Sequence, residues 1–279
     1  MKRLPFHKYQ SIGNTFVLIE SQEGNLSEMA QKMCHTKFGI GADGFLVVNL
    51  KSNPISMRMF NSDGSEDFCG NGLRCTAYHA RYRGKEPSSI LHGGREVAIR
   101  FDKFDWIDVT LPPYSFAPKD VPLKDGEEEI FQKEIIVANR KMMISAVSTG
   151  STHTVIFQEP SEEDFHEVSP IIEHMDIFPT RTSVIWAWET GDKQLSIRIW
   201  ERGVGETLGC GTGTAAVAAC WFITHKDAMA ISVKNPGGES VASRGQGGSV
   251  VISAKAQKLF SGEYLQTEQF SPPLVQLLP

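Results

Sequence analysis

Two cysteines in this chain each open a Cys-Gly-x-Gly turn, Cys69-Gly-Asn-Gly72 and Cys210-Gly-Thr-Gly213. A thiol is a base only when ionised. An ordinary cysteine ionises near pH ~8.5, and a helix start lowers that value because exposed N–H groups and aligned peptide dipoles favour negative charge. Both turns run into helix-forming sequence, so both sulfurs are suited to proton transfer. The residues Gly70, Gly72, Gly211 and Gly213 have no side chains to block those N–H donors, so each turn can also hold a substrate carboxylate. The strands ahead of the turns are versions of one another. Ile55-Ser-Met-Arg-Met-Phe-Asn61 aligns with Leu195-Ser-Ile-Arg-Ile-Trp-Glu201, and the cysteines stand 8 and 9 residues past their ends. A duplicated unit with one thiol per copy can set the two on opposite sides of a cleft. That arrangement suits proton removal from one face of a carbon and proton return to the other.

The segment Trp200-Glu-Arg-Gly-Val-Gly-Glu-Thr-Leu-Gly-Cys-Gly-Thr-Gly213 is rich in groups for a zwitterion. Glu201 suits an ammonium and Arg202 a carboxylate, preferably by a two-pronged contact. Asn14, Asn61 and Asn71 are neutral pairing groups, and His153, after Gly150-Ser-Thr, can orient or deprotonate a thiol. Gly39-Ile-Gly-Ala-Asp-Gly44 spells G-x-G-x-x-G, but a dinucleotide site needs a strand before it and a helix after it. Here the order is reversed, so the segment reads as a turn. Five cysteines without an export signal predict reduced thiols, and Cys34, Cys75 and Cys220 read as small buried hydrophobes on helices. The spacings Cys69-x5-Cys75 and Cys210-x9-Cys220 do not match zinc knuckles. No metal and no cofactor are expected.

These residues need elements to position them. Strand-like runs (Thr15 to Glu20, Phe45 to Asn49, Ile55 to Asn61, Glu96 to Phe101, Trp106 to Leu111) alternate in the first half with helical patterns at Leu26 to Thr36 and from Gly70 toward Tyr82. The order recurs in the second half, with strands near Met142 to Val147, Thr154 to Gln158, Ser183 to Glu189 and Leu195 to Glu201. Helices there span Glu162 to His174 and Ala215 to Thr224, followed by closing strands at Ala230 to Lys234 and Val250 to Ala254. Pro112, Pro113, Pro118 and Pro122 and the acidic Asp125-Gly-Glu-Glu-Glu129 read as a linker. The expected fold class is α+β, two pseudo-repeated lobes, each a curled, mainly antiparallel, barrel-like sheet around a central helix, with the site in the cleft between them. The lobes are drawn at 1–117, carrying Cys69, and 118–262, carrying Cys210, with 263–279 packing back on the first.

Composition narrows the class further. The 279 residues are 41% hydrophobic and 22% charged, within the ordinary globular range. Twenty-eight basic against 33 acidic residues give a net charge of −5, which offers no footprint for nucleic acid. The N-terminus lacks the apolar core of a signal peptide, and no run approaches the ~18 apolar residues of a membrane span. A cytoplasmic protein with no membrane partner is expected.

Taken together, the motifs resemble the diaminopimelate epimerase family over nearly the whole chain. The matching segments are Gly13-Asn14-x-Phe16, Phe38-Gly-Ile-Gly-Ala-Asp43, Phe60-Asn61, Asp63-Gly-Ser-Glu66, Cys69-Gly-Asn-Gly72 with Arg74, and Arg198 with the Trp200 to Gly213 block. The resemblance implies a cofactor-independent enzyme that inverts one α-carbon of LL-diaminopimelate to the meso isomer, for lysine and peptidoglycan synthesis. It implies Cys69 and Cys210 as the acid and base pair, assisted by His153 and Glu201. It further implies that the amides of Gly70, Asn71, Gly211 and Thr212 hold the reacting carboxylate, that Asn14, Asn61 and Arg202 bind the substrate, and that the protein is a homodimer. The chain departs from the family at Gly44, at Ser151 in Gly150-Ser-Thr-His153, and at Ser183-Val-Ile185, positions that usually carry longer or more polar groups gripping the distal end of the substrate. Ser151 and Ser183 thus become candidate substrate contacts, and specificity is expected to be relaxed. The alternatives are a racemase of another amino acid such as glutamate and, in a different class, a non-catalytic small-molecule binding protein. A nicotinamide oxidoreductase is a weaker rival.

Overall fold

In the computed structural model, residues 2–102 and 105–266 are described. Their contacts divide them into two compact units. One gathers the chain up to Ser11, Thr15–Ile99 and the chain from Ala256; the other holds Ile12–Asn14 and Arg100–Lys255.

The first unit opens with β1 (Lys2–Ser11), β2 (Asn14–Ile19), α1 (Leu26–Cys34), β3 (Gly44–Asn49), β4 (Ile55–Asn61), α2 (Gly70–Tyr82), β5 (Ser89–His92) and β6 (Arg95–Phe101). Beyond the pairing of β1 with β2, the ladder alternates: β2 runs parallel to β3, β3 antiparallel to β4, β4 parallel to β5 and β5 antiparallel to β6. Each parallel step needs a crossover, and α1 and α2 supply them. Asn25 caps α1 by accepting from the Glu28 amide. Its buried Leu26, Ala30 and Met33 join Val17, Phe45 and Phe60 in one apolar core. α2 is the central helix, buried from Gly70 to Ala80 except at Tyr78 and touching β1, β3, β4 and β5.

The second unit repeats the plan. It contains β7 (Ile107–Thr110), β8 (Lys133–Val137), β9 (Arg140–Ser148), β10 (Thr152–Phe157), α3 (Glu162–Glu173), β11 (Ser183–Gly191), β12 (Gln194–Glu201), β13 (Gly205–Thr207), α4 (Gly211–Thr224), β14 (Ala230–Asn235), β15 (Gly238–Arg244) and β16 (Val250–Ala254). β10 runs parallel to β11, β11 antiparallel to β12, β12 parallel to β14 and β14 antiparallel to β15. That is the alternation of β2 to β6, with α3 and α4 at the two crossovers. α4 is buried on every side from Gly211 to Phe222, which its Ala-rich composition permits because small side chains let strands approach all round. It touches β9, β10, β11, β15 and β16. Each unit is thus a curled, mixed but mainly antiparallel sheet around one helix.

The last strand among the described residues, β17 (Gln257–Gln266), pairs antiparallel with β1 in the first unit. Neither β1 nor β17 has a strong sequence signature, since Lys, Arg, Pro and Gly interrupt them, and their long mutual pairing makes them strands. The segment read as a linker, Pro112 to Glu129, lies within the second unit, because β7 before it pairs with β16. The contact boundary between the units falls at Ile99 and Arg100 rather than at 117 and 118. Residues 267–279, the larger part of the segment expected to pack back, lie outside the described residues.

Candidate active site

Cys69 and Cys210 are the N-caps of the two central helices, with nearly the same backbone: φ −141°, ψ 109° and φ −130°, ψ 112°. Each Sγ accepts from the amide three residues on, Gly72 and Gly213, at 3.3 Å in both cases. An N–H aimed at sulfur, in the field of a helix start, stabilises thiolate over thiol. The glycine at this position has a steric cause. A Cβ on Gly72 would lie 2.9 Å from Leu46 Cδ2 and 3.6 Å from the Cys69 sulfur; on Gly213 it would lie 2.8 Å from Ile185 Cδ1 and 3.3 Å from the Cys210 sulfur. The two amides before it, those of Gly70 and Asn71 or of Gly211 and Thr212, project past the helix start, where an anion can meet them. Cys69 and Cys210 are half-buried. Cys34, Cys75 and Cys220 are buried, and burial pushes their thiols up, Cys34 to about 12, so they stay protonated.

In the first unit, Asn61 ends β4 and turns its amide to Ser65 Oγ at 3.0 Å. The Asn71 side chain points inward and accepts from the fully buried Arg74, whose Nε reaches Ser11 Oγ at 3.0 Å. Its backbone amide, rather than its side chain, therefore faces the turn. Sequence reasoning missed His92. This buried ring donates from Nδ1 to the Met57 carbonyl at 3.1 Å, so its bare Nε2 accepts the backbone N–H of Cys69 at 3.0 Å and fixes the turn. Nothing short-range in the sequence marks it.

In the second unit, His153 comes to the cysteine. Its Nε2 lies 3.9 Å from Cys210 Sγ and 3.3 Å from Thr212 Oγ1, which is itself 3.4 Å from the sulfur. Nδ1 donates to the Ser151 carbonyl at 2.9 Å, so the proton sits there and Nε2 offers a lone pair toward the thiol. Burial, and secondarily the charge of Arg202, lower the ring to about 4. A neutral imidazole is the result, and its Nε2 can accept a hydrogen bond from the Thr212 hydroxyl or the Cys210 thiol. Ser183 pairs with His153 across β10 and β11, and its Oγ accepts the Arg202 amide at 3.1 Å. The Arg202 guanidinium is anchored to the Thr180 carbonyl at 3.0 Å, and Glu201 accepts from Thr207 Oγ1 at 2.8 Å.

The strand linking these residues is held by Glu173, also missed from the sequence. This buried carboxylate at the end of α3 accepts from Trp200 Nε1 and the Gly203 amide, both at 2.8 Å, and pairs with Arg181 at 3.1 Å. It therefore grips the chain on both sides of Glu201 and Arg202. The half-buried Asn14 follows Ile12 and Gly13, which pack directly on the residues before Cys210: a Cβ on Gly13 would lie 2.8 Å from Leu208 Cβ, and one on Gly209 would lie 2.1 Å from the Ile12 carbonyl oxygen.

The departures have physical counterparts. Ile185 is fully buried. Gly44 pairs with Phe16 and Asn61, and a Cβ there would meet Met59 Cε at 3.0 Å and the Phe16 ring at 3.1 Å.

Comparison with known proteins agrees with this architecture. The fold is that of a probable proline racemase from Agrobacterium radiobacter K84, at a TM-score of 0.72 over 96% of this chain and 94% of that one with 10% identity. A phenazine biosynthesis protein of the PhzF family from Bacillus anthracis shares it too, at 0.65 over 95% and 100% with 18% identity. The sequence profile described as Diaminopimelate epimerase matches residues 6–103 and 145–258. A diaminopimelate epimerase from a Synechococcus species is 37% identical over 85% of this chain and 89% of its own, and one from Caldanaerobacter subterraneus is 33% identical over 92% and 98%. This chain belongs to the diaminopimelate epimerase family, and the enzymes of that family are isomerases.

Proposed function

We propose that the protein epimerises LL-diaminopimelate to the meso isomer by a two-base mechanism at Cys69 and Cys210. The observation that carries this reading is the duplicated geometry of the two sulfurs, each an N-cap accepting from the third amide of a central helix. One thiolate takes the α-proton: an S–H bond forms, the Cα–H bond breaks, and its electron pair delocalises into the α-carboxylate. The other thiol then gives its proton to the opposite face, so that each turnover exchanges the protonation states of the two sulfurs. The carbanion needs preorganised donors near its carboxylate, and the amides of Gly70, Asn71, Gly211 and Thr212 serve. His153 and Glu201 assist the thiols, and Asn14, Asn61 and Arg202 bind substrate. The reaction needs no metal or cofactor. The protein works in the cytoplasm as a homodimer, which light scattering after gel filtration would check.

Solvent deuterium incorporation at the α-carbon tests the mechanism. Cys69→Ala and Cys210→Ala should each abolish inversion, and Cys75→Ala should retain most of it. Near-normal turnover by either site variant would overturn the two-base mechanism.

Relaxed specificity has its own support in the apolar Ile185, the Ser183 hydroxyl engaged by a backbone amide, and the crowding at Gly44. A hydrogen bond lost to a charged ligand group forfeits ~1.5–3 kcal/mol. The wild type should therefore also exchange the α-proton of glutamate slowly, and Ser151→Asn with Ser183→Asn should raise the preference for diaminopimelate. Strict rejection of shorter amino acids would end this second idea and leave the first intact.

A further inference from the structure

Among the described residues, one group has the chemistry of a metal ligand set: His7 in β1, Glu20 just past β2 and His79 in the last turn of α2, with ligand atoms all within 4.8 Å of one another. Glu20 Oε1 lies 3.1 Å from His79 Nε2 and 4.0 Å from His7 Nε2. Two ligands on one tetrahedral ion with bonds of ~2.0–2.2 Å stand roughly 3.4 Å apart. The three atoms therefore already bracket the volume of an ion.

Their orientation is fixed from outside. His79 Nδ1 pairs with the buried Tyr9 hydroxyl at 2.9 Å and His7 Nδ1 with Ser261 Oγ at 2.8 Å, so both Nε2 atoms turn toward Glu20. Outer partners of this kind set ring orientation and tautomer in metal sites. His79 is fully enclosed, whereas the Glu20 side chain keeps 33% of its exposure, so a water has access to a fourth position. Two cations stand nearby: Arg83, with Nε 3.2 Å from Glu20 Oε1, and Lys258, whose charge acts on His7. Arg83 is 49% exposed, so solvent can replace Glu20 as the partner of its guanidinium.

We propose that His7, Glu20 and His79 form a binding site for a divalent transition metal ion of zinc-like preference, stapling β1, the end of β2 and α2. Two imidazoles and a carboxylate favour such ions over magnesium or calcium. The site is ten residues along α2 from Cys69, about 15 Å of helix, so it stabilises the fold and takes no part in proton transfer. No spacing motif announces it, because 59 positions separate Glu20 from His79.

The test titrates Co2+, and then Zn2+ in competition, into the full-length protein. Binding here gives visible d–d bands without the intense near-ultraviolet charge transfer of a thiolate ligand, which separates this site from Cys69 and Cys210. His7→Gln and Glu20→Gln should each weaken binding at least about tenfold. Arg83→Gln should tighten it and enlarge the rise in melting temperature on adding Zn2+. This last gain is what a purely structural His–Glu–Arg network would not produce, and it stays readable if a histidine variant misfolds. The proposal is overturned if the only cobalt spectrum is that of a thiolate complex, if His7→Gln and Glu20→Gln fold and bind as the wild type does, or if Arg83→Gln leaves affinity unchanged.

Discussion

His153 and His92 show how one side-chain type serves two ends. Each donates from Nδ1 to a carbonyl and keeps Nε2 bare, but the bare nitrogen faces a thiol in one case and a backbone N–H in the other. Burying a neutral ring has a pH consequence. The folded value of His153 is about 4, below the ordinary 6.5, so the unfolded chain binds the proton more readily between these values. Its contribution to stability is whole above pH ~6.5 and is lost as pH falls toward ~4, on the order of 3 kcal/mol in full. Chemical denaturation between pH 7 and 4.5 should show falling stability, with a shallower slope in His153→Asn. An unchanged slope in that variant would mean that other groups carry the acid sensitivity.

At the scale of the element, the repeated feature is a strand, a short turn and a helix capped by cysteine, and a repeated ion pair braces it. Arg58 holds Glu66 at 2.8 and 2.7 Å, and Arg198 holds Glu206 at 2.7 and 3.2 Å; both pairs are eight residues apart and tie the strand to the turn that leads to the cysteine. The third helical residue is the second constraint. Because a Cβ on Gly213 would press on Ile185 and the Cys210 sulfur, Gly213→Ala should cost ~1–3 kcal/mol and lower turnover far more than substrate binding. Steady-state kinetics with urea unfolding checks both. Wild-type kcat in a folded Gly213→Ala protein would show that the sulfur tolerates displacement.

For the molecule taken whole, the first and last described strands meet. β1 lies against β17 from Lys2↔Gln266 to Gln10↔Gln257, so the first unit is complete only after the second has been synthesised. Contacts this distant in sequence are slow to form and leave an open edge until they do. A fragment of residues 1–101 should therefore lack a cooperative unfolding transition and gain one when a peptide of residues 256–279 is added in trans. A cooperative transition in the fragment alone would show that β17 is dispensable to that core.

The two-copy plan, the elements around each cysteine and the pairing of a thiol with a helix start are legible in the linear chain, because these are local: strand alternation, glycine turns and N-caps are written within ten or so residues. The linear chain also carries the family through contiguous motifs. Everything made by distant partners emerges only on folding. β1 and β17 become strands through each other, and His92, Glu173 and Arg74 gain their roles from groups 23 or more residues away or from burial that no spacing reveals. The side chain of Asn71 turns inward for the same reason, since a buried guanidinium must be paired and Asn71 is within its reach.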